Sequence, residues 1–214
     1  MAQYLVSLEI IIKTINMKKY VLIALTILLF SFIQGDFVST KISSHVSMDL
    51  AKELVLVPLN DVDLKYSKQN APMAVYETTD QDIKLVVRLI KEAEDTTSKK
   101  MFKNPEASKA QTKDIVLEKM FKKSSIASKF DAVTFTKDTI QEINGNEFIV
   151  FEYNAEASGV DAKEVEIKTE TYVYYQICYI KNKTYIFNFY CPKDRQAEWQ
   201  SKAILMMNSV KIRK

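Results

Sequence analysis

Apolar positions crowd into the last third of the chain. From Gln141 to Ile212 they form two blocks of β-forming residues, one block at helical spacing and a short β-branched ending. The first block sets Ile140, Ile143, Phe148, Ile149, Val150, Phe151 and Tyr153 around Asn144-Gly145, the dipeptide that most readily supplies the two positive φ angles of a type I′ turn. A hairpin is predicted there. Neither arm alternates cleanly, so it is predicted to be covered on part of both faces. A second hairpin is predicted from Thr171–Ile180 and Thr184–Tyr190, with Asn182-Lys183 as its tip. Its aromatic residues, Tyr172, Tyr174, Tyr175, Tyr179, Tyr185, Phe187, Phe189 and Tyr190, suit a sheet and its core better than a platform for stacking bases or sugars.

Pro192 and Asp194 are favourable entry signals for the helix that follows. Ala197, Gln200, Ala203, Ile204 and Met207 recur at helical spacing and are predicted to face the sheet, with Trp199 and Met206 on the flank. Trp199 reads as a packing anchor, and Ser209 to Ile212 as a strand closing the same sheet. Upstream, Ile42–Leu50 reads as a strand and Glu53–Leu59 as an extended run. Asn60 or Asp61 caps a short helix through Lys68, and Met73–Thr78 with Ile83–Ile90 makes a hairpin. Lys91–Lys103 is charged and loop-like. Asn104-Pro105 then opens a helix to about Ser125, with Ala110, Val116, Leu117, Met120 and Phe121 inward and a Glu118–Lys122 pair at supportive spacing. Ala155 to Lys163, with Gly159, reads as a mobile loop between the C-terminal hairpins.

The start of the chain has a different texture. Met17-Lys18-Lys19, the apolar run Tyr20–Ile33 and then Gln34-Gly35 have the basic start, short apolar centre and small residue of a secretory signal peptide, with cleavage expected near Gly35. Residues 17–35 are therefore expected to be a leader, residues 1–16 an upstream start artefact, and residues 36–214 one domain. The protein is expected to be periplasmic or secreted. The alternative is an uncleaved N-terminal membrane anchor, helped by the apolar patch Tyr4–Ile12 but disfavoured by the short run.

Composition excludes more chemistry than it suggests. The formal charge is +3 over 214 residues, and removing Lys13, Lys18, Lys19 and Glu9 with the leader brings it to about +1, which implies no particular partner. His45 is the only histidine, so a multi-histidine metal site is ruled out, and Cys178 and Cys191 lack zinc-pair spacing. With Lys181 opposite Thr184, Cys178 falls against Phe187 and Cys191 against Tyr174. Two buried, unbridged thiols are thus expected, in apolar contexts unsuited to a Cys-His nucleophile. Only Gly145 and Gly159 remain after the leader, so no glycine-rich phosphate loop exists, and there is no G-x-S-x-G elbow. No cofactor or metal is expected and no catalytic constellation is found.

The strongest local bias is Lys99–Lys129, where nine lysines face only Glu106, Asp114 and Glu118. Lys109, Lys113, Lys122 and Lys123 are the candidate partner-binding residues, for an acidic envelope protein or an anionic membrane surface. The bland alternative is a solvated helix face. Nucleic acid is not expected as a partner of an exported chain.

The run Ile143-Asn144-Gly145 before an aromatic strand, the hairpin Tyr172–Phe189, Trp199, and the ending Met207-Asn208-Ser209-Val210-Lys211-Ile212 resemble the PsbP-like (DcrB-type) family. The resemblance implies an α+β fold, an antiparallel sheet flanked by helices in an α/β/α sandwich. It transfers no catalytic residues, since family members mostly bind other proteins. The expectation is a non-enzymatic bacterial envelope protein acting as a binding or accessory module. The alternative is a small-molecule or lipid carrier using a cleft between helix and sheet.

Overall fold

A computed structural model describes residues 36–58, 60–62, 66, 71–91, 115–160, 166–180 and 182–213. The expected leader, Lys109, Lys113 and the helix start at Asn104-Pro105 lie outside these residues. The chain divides into two compact units at the Val38/Ser39 boundary, and the elements below belong to the second from Ser39 onward.

Ten strands and two α-helices are described: β1 (Phe37–Lys41), β2 (Val46–Ala51), β3 (Val55–Leu56), β4 (Ala74–Glu77), β5 (Lys84–Lys91), α1 (Ile115–Ala127), β6 (Ala132–Ile143), β7 (Asn146–Val160), β8 (Glu166–Ile180), β9 (Lys183–Pro192), α2 (Gln196–Asn208) and β10 (Lys211–Ile212). Seven strands form one sheet in the order β3-β4-β5-β9-β8-β7-β6, with antiparallel pairing throughout. The fold is thus α+β.

The sequence rules act where expected in the turns. Asn144 and Gly145 take φ values of 49° and 76°, and β6 and β7 close directly around them. The β4–β5 hairpin also forms, its turn held by Thr78 and Asp80 and by Gln81 at φ 62°. Arg195 Nη1 lies 2.6 Å from Asp80 Oδ2, tying that turn to the 3-10 segment that leads into α2.

Three expectations are corrected. The closing strand does not join the main sheet: β10 pairs with β2, Lys211 opposite Ser47 and Ile212 opposite Val46, in a second sheet of order β1-β2-β10. Asn144 Nδ2 donates to the Val210 carbonyl at 2.8 Å, and the Asp49 amide donates to Ser209 Oγ at 2.8 Å, which steers the chain away from the main sheet. The first-strand region splits, with a turn at residues 42–45 between β1 and β2. Gly159 does not sit in a loop: β7 runs on to Val160 and β8 begins at Glu166, because Ala157 pairs with Thr169 and Gly159 with Ile167. Lys168 adds an ion pair with Glu156 across this extension.

The second hairpin is also two places out of the expected register, with Ile180 rather than Lys181 starting the pairing, opposite Lys183. An even slip leaves every side chain on its expected face. Cys178 falls opposite Tyr185 and Cys191 opposite Tyr172, six residues apart along β8, or about 20 Å. Both are buried and no disulfide joins them.

The two helices pack on opposite faces of the main sheet. Ile126 of α1 packs with Ile149, Phe151, Val173 and Ile177. Trp199 of α2 stacks on Phe189 at 6.0 Å, and Phe189 lies opposite Tyr174, on the other parity of β8. Trp199 is 1% exposed, the packing anchor expected of it. The inward set of α2 is rotated from the expected one. Trp199, Ala203, Met206 and Met207 are buried while Ala197 is exposed, because α2 touches β2 as well as β8 and β9.

Candidate functional site: the outward face of α1

Helix α1 presents its polar side to the sheet. Ile115, Glu118, Lys119, Lys122 and Ile126, spaced for one helical face, are buried or half-buried. Lys119 Nζ lies 2.9 Å from Asp138 Oδ1, and Lys123 Nζ lies 2.5 Å from Asp138 Oδ2. The Lys123 ammonium also sits 4.9 Å above the Phe135 ring, and the Tyr179 hydroxyl donates to Glu118 Oε2 at 3.2 Å. Burial raises the Asp138 pKa, but the hydrogen bonds and charges of Lys119 and Lys123 outweigh it, and the carboxyl ends below its ordinary value.

The apolar side of α1 therefore points outward. Val116, Leu117, Met120 and Phe121 are 53%, 48%, 61% and 62% exposed, the reverse of their expected inward placement. The physical reason is nonlocal. A carboxylate on β6, opposite Phe151, meets two lysines one helical turn apart, and satisfying all three turns the helix over. Nor does Glu118 pair with Lys122, since it is engaged by Tyr179.

The four candidate lysines are not gathered into one patch. Lys123 is held by Asp138, Lys122 is half-buried beside the sheet, and Lys109 and Lys113 lie outside the described residues. Asp138 and Tyr179, which orient the helix, were not singled out from the sequence. The only trace there is the four-residue spacing of Lys119 and Lys123.

Other chemistry-bearing groups serve packing. Glu152 is 6% exposed under α2 and accepts hydrogen bonds from the Tyr172 hydroxyl at 3.1 Å and from Gln200. Burial pushes the Tyr172 and Tyr174 hydroxyls well up, with the Glu152 charge adding to it. Burial likewise pushes the Cys191 thiol up to about 12, unsuited to a nucleophile. His45 is exposed in the β1–β2 turn. Among the described residues no group of three or more His, Cys, Asp or Glu could hold a metal, and no helix is long and apolar enough to cross a membrane.

No family model and no curated protein matches the chain. Solved structures do. Cyanobacterial PsbP (CyanoP) from Synechocystis aligns over 83% of this chain and 93% of its own, at 13% identity and a TM-score of 0.51. LpqN of Mycobacterium tuberculosis, described as involved in cell envelope biogenesis, aligns over 83% and 91% at 10% identity and a TM-score of 0.46. The Saccharomyces cerevisiae Ran-binding protein Mog1p aligns over 82% and 95% at 8% identity and a TM-score of 0.46. The likeness to PsbP is one of fold: the chain has the PsbP-like α+β architecture expected from its C-terminal half.

Proposed function

We propose that the protein is an exported, non-enzymatic accessory module that docks onto an envelope protein through the outward face of α1. The observation that carries this reading is the side-by-side exposure of Met120 and Phe121, at 61% and 62%, on a helix whose polar face is already engaged with the sheet. With Val116 and Leu117 also exposed they form a contiguous apolar patch on one helix, the kind of surface that marks an interaction site. The occupant is an apolar groove rimmed by acidic side chains. Around α1, Lys119, Lys122, Lys123 and Lys129 stand against Glu118 and Asp138, a net charge of +2, so the local field favours an acidic partner. Lys109 and Lys113, in the same lysine-rich segment of the sequence, are candidates for the same contact. The leader read from Met17 to Gly35 supports an envelope setting.

Site-specific cross-linking tests it. A photoreactive residue at Phe121 is expected to trap one stoichiometric envelope protein, and the same probe at Leu205, exposed on α2, is expected not to. With the purified pair, Phe121→Asp is expected to weaken affinity by tenfold or more, and Lys122→Glu to weaken it and flatten its salt dependence. Equal trapping from both positions, trapping of lipid alone, or unchanged affinity in Phe121→Asp would overturn the reading. A second reading, a small-ligand carrier, is supported by another observation: the Arg88 guanidinium lies in the sheet face without a counter-charge among the described residues.

A further inference from the structure

Several cations set against the sheet have a carboxylate partner, and Lys137, which lies over the Tyr174 ring, donates to Gln141 Oε1 instead. Lys119 and Lys123 share Asp138, Lys84 lies 3.4 Å from Glu77, and Arg195 reaches Asp80 and Glu198. Arg88, half-buried in β5, has no carboxylate partner among the described residues. Its Nε is shut off from solvent and makes no hydrogen bond, and its guanidinium carbon stands 5.8 Å from the centre of the Tyr66 ring. An aromatic face offsets part of the desolvation of a cation but supplies no acceptor for its N–H groups.

The neighbours repeat the pattern. Tyr175 pairs with Asn188 and Asn188 with Val86, so Asn188, Tyr175, Tyr190 and Arg88 rise from the same face of three adjacent strands. Asn188 is 8% exposed; its amide nitrogen donates to the Tyr190 hydroxyl, and its Oδ1 is buried without a partner. Burial pushes the Tyr175 hydroxyl up to about 12 and raises that of Tyr190, while the Arg88 charge pulls both back. A buried unbonded donor on Arg88 and a buried unbonded acceptor on Asn188 therefore rise from one tyrosine-rich face of the sheet, with no carboxylate partner for Arg88 among the described residues. Buried polar groups are normally paired, and a half-buried guanidinium with an unbonded N–H is favoured by an anion that meets it.

We propose that this spot is a binding site for a small organic carboxylate, gripped by Arg88 and flanked by Tyr66, Tyr175, Tyr190 and Asn188. The planar guanidinium fork matches a carboxylate in two parallel hydrogen bonds. The tyrosine hydroxyls can donate to the same anion, and the rings accept an apolar body behind it. The site is on the main sheet and shares no residue with the outward face of α1, so the two readings stand or fall separately.

Titration calorimetry with benzoate, octanoate, neutral benzamide and inorganic phosphate tests it. At least one of the two carboxylates is expected to bind, with benzamide at least tenfold weaker and phosphate weaker than the carboxylate. Arg88→Met is expected to abolish carboxylate binding and to raise the Tm of the ligand-free protein, since it replaces a buried, unbonded N–H by an apolar side chain of similar length. Arg88→Lys retains the charge without the fork and is expected to bind at least tenfold more weakly than wild type. Equal affinity for benzamide, binding of phosphate but neither carboxylate, no binding by either carboxylate, or an Arg88→Met protein with lowered Tm would each overturn the proposal.

Discussion

Lys123 Nζ lies 2.5 Å from Asp138 Oδ2, and that contact decides which way α1 faces. Lys119 takes the other oxygen at 2.9 Å, so a single β6 carboxylate holds two positions one helical turn apart. Asp138→Ala is expected to release both lysines and cost about 1–2 kcal/mol of stability, the range of charge-assisted but partly solvated contacts. Amide exchange across Ile115–Ala127 is expected to rise more than exchange in β7 or β8. Unchanged exchange in α1 would mean that Ile115 and Ile126 alone seat the helix.

The same pair sets a pH dependence. The Asp138 pKa is lowered on folding, so its contribution is complete above the unfolded value, about 3.9, and is lost as pH falls through the depressed folded value. The stability gap between wild type and Asp138→Asn is therefore expected to be constant near neutral pH and to shrink at about pH 4 and below. Urea unfolding of the two proteins across that range reads it directly. A gap that widens on acidification contradicts the assignment.

The limits of sequence reading here fall along one line, local against nonlocal. Asn144-Gly145 announces its turn because two positive φ angles are a local demand, and Met73–Thr78 with Ile83–Ile90 announces its hairpin through β-forming runs joined by polar residues. The facing of α1 reverses the expected one because the rule that apolar residues point inward takes no account of Asp138, which reaches the helix only through the fold. Gly159 looked like a breaker, yet its partner Ile167 makes it strand. Arg88 gave no signal at all. An arginine alternating in a strand is ordinary, and its place beside Asn188 and Tyr175 exists only once β5, β9 and β8 lie side by side.

Gly145 permits a clean separation of backbone strain from packing. A Cβ placed on it meets nothing within 4 Å, yet its φ is +76°. Gly145→Ala is therefore expected to destabilise by about 1 kcal/mol through conformation alone. Asn144→Ala loses a residue suited to positive φ and also the side-chain bonds to the Val210 and Asn208 carbonyls, at 2.8 and 3.3 Å. It is expected to cost more than Gly145→Ala and to loosen β10 from β2. Chemical denaturation followed by far-UV circular dichroism ranks the two, and the reverse order would show that the β6–β7 turn does not position the C-terminal strand.

Both thiols should be silent until the sheet opens. Cys178 is 1% exposed and Cys191 fully buried, and burial raises the Cys191 pKa to about 12. Reaction with an aromatic disulfide reagent at neutral pH is expected to be slow in the native protein and to release two equivalents in denaturant without reductant. Two equivalents released at once under native conditions would place the thiols at the surface.

Trp199 joins α2 to the main sheet, stacked on Phe189 with the Lys202 ammonium 4.7 Å from its ring centre. Its indole N–H is buried and makes no hydrogen bond, so the residue acts through its area, its shape and the face it offers Lys202. Trp199→Ala is expected to cost about 3–5 kcal/mol, the range for losing a fully buried large aromatic ring. Trp199→Phe removes the orphan donor along with part of the ring, so the two effects oppose each other and the cost is expected to be well under half that of the alanine variant. Because Trp199 is the only tryptophan, the comparison needs circular dichroism or calorimetry rather than intrinsic fluorescence. Equal losses in the two variants would mean that the indole nitrogen matters after all, which would reopen this face of the sheet as a place where something is bound.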